Sequence, residues 1–146
     1  MDTKIQNISS SDITAVFYST DEGLTPASEN SGVKITINTE EIPDFGLAYN
    51  SSSYRYGDYW IKRVHIGNKV KKIGKRAFYD GPSFTFADDN TVTEIGEYAF
   101  FRSYRKNDPE TINLPFTTTI GKNCFYGCTS KNINIPQLTS IPESAF

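Results

Sequence analysis

Four segments of this chain carry one hexapeptide pattern: IGKRAF at 73–78, IGEYAF at 95–100, IGKNCF at 120–125 and IPESAF at 141–146. The anchors Ile73, Ile95, Ile120 and Ile141, and with them Phe78, Phe100, Phe125 and Phe146, recur at steps of 22, 25 and 21 residues. Two large apolar side chains held at one offset over four copies leave few folds open. A unit of that length has too little interior to fold alone, so the units must stack and bury their anchors against one another. The expected result is a solenoid in which each buried Phe contributes roughly 1.5–3 kcal/mol.

The repeat extends upstream of the anchors. Val70, Val92, Thr117 and Leu138 each stand three residues before an anchor Ile. Before these come the alternating triplets Val64-His65-Ile66, Phe84-Thr85-Phe86, Ile112-Asn113-Leu114 and Ile133-Asn134-Ile135. Such triplets read as very short strands with one buried face. Pro115 and Pro136 end two of them, because proline has no N–H to give to a ladder. Gly74, Gly96 and Gly121, or Pro142, then turn the chain, and the segment around each Ala-Phe pair is expected to form a turn of α- or 3₁₀-helix. Ala77, Ala99 and Ala145 must be small for the coil to close, and Cys124 takes that place in the third copy.

Taken together, these residues resemble the BspA-type, or Treponema pallidum-type, leucine-rich repeat over 61–146, well over half the chain. The resemblance implies a right-handed leucine-rich-repeat solenoid of the α/β type. Its coils would be mostly short parallel β-strands joined by short helical or 3₁₀ turns. Members of that family are mostly surface adhesins and interaction proteins, similar repeats occur in phage-encoded proteins, and the match does not imply an enzyme. The family usually places Cys three residues after the Phe. Only Cys128 obeys this here, with Gly81 and Ser103 at the other matching positions.

The expected organisation is therefore four repeats over 61–146, the last truncated, preceded by a β-rich N-terminal cap or binding segment over 1–60. In the first part ITAVFY (13–18) and VKITIN (33–38) read as strands around a turn-rich segment, 21–32. Ile35-Thr36-Ile37 with Ile42-Pro43 looks like a decayed first repeat. At the other end nothing in the sequence covers Phe146. A partner, a second copy or further repeats would cover it, or the last coil frays; self-association through this open repeat is one expectation.

Charge is unevenly spread: the net is −6 over 1–60 and +4 over 61–146. Lys62, Arg63, Lys69, Lys71, Lys72, Lys75 and Arg76 fall within 61–76 with no acid among them. Three uses are open: a solvated face, a contact stripe for an anionic protein surface, phosphate or glycan, or pairing with the acidic first half. Nucleic acid is disfavoured because no recognition motif accompanies the stripe. The stretch FGLAYNSSSYRYGDYW (45–60) sets Tyr49, Tyr54, Tyr56, Tyr59 and Trp60 among Ser, Gly and Asn. That palette suits a binding loop, since Tyr and Trp give contact area at low entropic cost, although the same rings also suit packing over the first repeat.

Chemistry-bearing residues are few. Cys124 and Cys128 are read as small buried hydrophobes. With His65 as the sole histidine there is no zinc ligand set, and no metal or cofactor is implied. His65 is expected to point to solvent, with no nucleophile or acid in a motif around it. Glu94, Glu97, Asp88 and Asp89 read as surface positions, and Asn7 and Asn50 as idle glycosylation sequons. No run approaches a membrane span, and no leader peptide opens the chain. The functional expectation is a non-enzymatic interaction or adhesion module binding another protein or a surface glycan. The alternative is a structural assembly protein such as a phage virion component. Family resemblance places it at the cell surface, while the lack of a leader keeps virion and cytoplasm open.

Overall fold

The computed structural model describes residues 13–20, 31–48, 55–56, 59–103 and 110–146, with backbone alone for 13–20, 31–34, 55–56, 59–60 and Lys62. Strand β1 (Ile13–Thr20) pairs antiparallel with β2 (Ser31–Ile37). β3 is Glu41–Ile42, β4 Arg55–Tyr56 and β5 Tyr59–Ile66. β6 is Lys72–Ile73, β7 Ser83–Phe86 and β8 Glu94–Ile95. β9 is Thr111–Asn113, β10 Thr119–Ile120 and β11 Asn132–Asn134.

The triplets supply one column of parallel strands. Ile35 of β2, Val64 of β5 and Phe84 of β7 are in register, as are Ile37, Ile66 and Phe86. β4 adds to β5 antiparallel, giving a five-stranded sheet. This sheet stops at β7, and β9 and β11 form a separate parallel pair. Buried Asn90 spans the break, its Nδ2 donating to Ala87 O at 3.0 Å and to Asn113 O at 2.8 Å. The anchor isoleucines supply a second column, β3–β6–β8–β10, in which Ile42, Ile73, Ile95 and Ile120 follow one another in register. Ile42 thus belongs to the ladder, and Ile35-Thr36-Ile37 through Leu47 forms a coil ahead of the four legible in the pattern.

The residue after each Ile donates to the preceding coil: Gly74 N to Ile42 O at 2.8 Å, Gly96 N to Ile73 O at 2.8 Å, Gly121 N to Ile95 O at 2.9 Å. Glycine is required by the closeness of the backbones. A Cβ on Gly96 would lie 2.6 Å from Lys75 N, and one on Gly121 2.2 Å from Glu97 N.

A third column runs the other way. Leu47 N donates to Ala77 O at 2.7 Å, Phe78 N to Ala99 O at 2.6 Å, Phe100 N to Cys124 O at 2.7 Å and Phe125 N to Ala145 O at 2.8 Å. These segments fold as consecutive turns, and no helix occurs among the described residues. The cause is one left-handed residue three places after each Ile: Phe45 (φ 59°), Arg76 (54°), Tyr98 (56°), Asn123 (54°) and Ser144 (51°). A second follows four residues later at Asp80, Arg102 and Gly127. A helix would turn each N–H back along its own chain. The left-handed residue turns it toward the next coil instead, as Arg76 N does to Glu97 O at 3.0 Å.

The interior is a stack of rings. Phe78 and Phe100 lie 4.9 Å apart and Phe100 and Phe125 5.4 Å, with Phe84 4.2 Å from Phe100. All four are buried, with Val70, Val92 and Thr117 beside them. Thr117 keeps its aliphatic-type position because its hydroxyl donates to Val92 O at 2.7 Å. The stack continues to Phe146, 6.0 Å from Phe125, and in this last coil Ile141 is 70% and Phe146 52% exposed. Pro142 stands where the inner coils have glycine and has no N–H to donate to Ile120 O.

Candidate interaction surface

The side chains singled out from sequence are not gathered in one place. Tyr49 and Tyr54 lie outside the described residues. Tyr56 faces Tyr59 across the β4–β5 pairing, and Arg55 faces Trp60; Lys62 lies further along β5, and the side chains of these residues are likewise outside the description. Arg63 is half-buried with Nε 3.5 Å from Ser83 Oγ. His65 is half-buried too, its Nδ1 2.8 Å from Thr85 Oγ1 on the neighbouring strand.

The basic run is unbroken in sequence but not in space. Lys69 and Lys71 are exposed. Lys72 sits between Glu41 at 3.8 Å and Glu94 at 3.9 Å, one from the coil on either side. Lys75 pairs with Glu97 and donates a hydrogen bond that holds this carboxyl below the ordinary glutamate range. Two columns of alternating sign result. One reads Glu41, Lys72, Glu94. The other, two places after each anchor Ile, reads Asp44, Lys75, Glu97, Lys122, Glu143. In a parallel in-register stack like charges would face one another, and alternation replaces that repulsion with attraction.

The same stacking lays out a surface that the anchor pattern hides. Each inner Phe is followed by a second ring, in the doublets Phe78-Tyr79, Phe100-Phe101 and Phe125-Tyr126. The first ring of each doublet enters the core and the second lies outside. Tyr79 and Phe101 stack at 4.9 Å with planes 11° apart, and Phe101 and Tyr126 at 5.1 Å and 13°. Beside this row Arg76 lies over three rings: Tyr98 at 5.1 Å, Tyr79 at 5.5 Å and Phe45 at 5.9 Å. Lys122 Nζ is 5.9 Å from the Tyr98 ring. Phe45 is 39% and Tyr126 47% exposed, the other three rings half-buried. The doublets were the available sequence signal, recurring at the anchors' own steps.

With this geometry the comparison with known families is direct. Residues 52–146 match the BspA type leucine rich repeat region in six copies. The chain belongs to that family. No characterised protein and no solved structure gives a match. BspA-type repeats are generally a non-enzymatic binding scaffold, and protein interaction is the general role they give this chain.

The remaining chemistry of this BspA-type chain fits such a role. Burial, with a smaller contribution from Cys128, pushes the Cys124 thiol well up, so it stays protonated and unreactive. Both cysteines are free thiols, and Cys128 Sγ lies 3.5 Å from Ser130 Oγ. Asp88, Asp89 and Glu94 are exposed and Glu97 half-buried. Among the described residues no helix is long and apolar enough to cross a membrane.

Proposed function

We propose that this chain is a non-enzymatic adhesion module that holds a partner protein on its outer aromatic row, at a cell surface. One observation carries this reading. Tyr79, Phe101 and Tyr126 stack at 4.9 and 5.1 Å outside the core, with Phe45 and Tyr126 well exposed. Rigid aromatic side chains beside cations are the groups that dominate protein–protein contacts. Tyr49, Tyr54, Tyr56, Tyr59 and Trp60, with Lys62, Arg63, Lys69 and Lys71, are proposed as a second contact region on the same grounds of composition.

The test is selection of a displayed random-peptide library on the immobilised chain. Enriched peptides should lose about tenfold or more in affinity on Tyr126→Ser and on Tyr79→Ser, with the melting temperature held near that of the parent for the exposed Tyr126. Equal binding by both variants would remove the row from the contact surface.

A further inference from the structure

Arg76 is the unusual member of the aromatic row. Its guanidinium lies among Phe45, Tyr79 and Tyr98, and its Nε is buried with no hydrogen-bond partner. No carboxylate pairs with it among the described residues. Neighbouring cations are treated differently: Lys72 is shared by Glu41 and Glu94, Lys75 holds Glu97, and Arg102 meets Asp80 at 3.0 Å. Glu97 is close enough to feel Arg76 and Lys122, but its hydrogen bond is to Lys75. Lys122, near the Tyr98 ring, is also without an ion pair among the described residues. The outer aromatic row therefore carries a cation with no ion pair among the described residues, Arg76, fixed in direction by three rings, with Lys122 beside it.

We propose that Arg76 receives a carboxylate side chain from an acidic segment of the partner protein, with an apolar side chain next to it on the Tyr79–Phe101–Tyr126 row. This inference rests on the proposed role of that row. Charge complementarity selects the occupant. An arginine whose planar fork is already oriented loses little freedom on gaining a bidentate carboxylate. In a partly dehydrated site that hydrogen bond is stronger than at an open surface. Lys122 adds attraction at longer range and speeds encounter.

The displayed-peptide selection on the full chain tests this. Enriched peptides should contain an Asp or Glu beside an aromatic or aliphatic residue. Arg76→Gln should weaken a selected peptide about ten- to a hundredfold. Changing the peptide's acid to its amide should weaken binding to the parent equally, and should cost nothing further against Arg76→Gln. Arg76→Lys, which keeps charge but not the fork, should recover only part of the loss. Peptides enriched without any acid, or an additive effect of the two changes, would overturn the inference and leave the row as a contact surface. Peptides whose binding ignores Tyr79→Ser and Tyr126→Ser would overturn the role of the row itself. Heparin oligosaccharide displacing the peptides and binding more tightly than they do would give Arg76 to a sulfated glycan and overturn the peptide assignment.

Discussion

At the scale of single residues, two kinds of position hold this chain together, and only one was visible in sequence. The Ile and Phe anchors announce themselves by identity and spacing. The left-handed positions do not, because Phe45, Arg76, Tyr98, Asn123 and Ser144 share a φ near 55° and no side-chain type. Glycine, which marks such sites elsewhere, is spent here where coils touch. Gly96→Ala would force a methyl to within 2.6 Å of Lys75 N; the expected loss is about 1–3 kcal/mol, as for other overpacked interiors, read from denaturant unfolding. Glu97 gives a pH dependence of known sign. Its carboxyl, held by Lys75, titrates below the ordinary glutamate value of 4.5. The pair's contribution is complete above that value and is lost as pH falls toward the lower folded value. Melting temperature should therefore drop more between pH 5 and pH 3 for the parent than for Glu97→Gln, by a small amount because the pair is solvated. The Arg76 cage was missed because its three rings lie in three different coils.

Elements follow the same division. The short parallel strands were legible because an alternating triplet recurs before each anchor. The sheet break between β7 and β9 was not, since no residue type marks it. Nor was the turn column, where every second N–H, as at Arg76, Phe78 and Asp80, donates to the next coil and only those between them close turns within the segment. Packing in a stack depends on having a neighbour on both sides. Phe100 lies between Phe78 at 4.9 Å and Phe125 at 5.4 Å, whereas Phe146 touches Phe125 alone and is half exposed. Phe100→Ala should cost about 3–5 kcal/mol, and Phe146→Ala less than about 1 kcal/mol. Unfolding curves for the two variants check this directly; equal losses would mean that the coils do not stack as independent layers.

For the molecule as a whole, the charge map is the largest departure from what sequence suggests. Within the run of seven bases, Lys72 and Lys75 are paired once Glu41, Glu94 and Glu97, 22 to 31 residues away, fold alongside them, while Lys69 and Lys71 stay exposed. A search for like residues at a fixed period overlooks a column whose sign flips at each step. The flipping sign has a consequence for length. Excising the coil of Lys72 and Lys75 would set Glu41 against Glu94 and Asp44 against Glu97, four acids in two facing pairs. Excising two adjacent inner coils restores opposites in the column from Asp44 to Glu143. In that column a change of coil number by two keeps the alternation of sign, and a change by one breaks it.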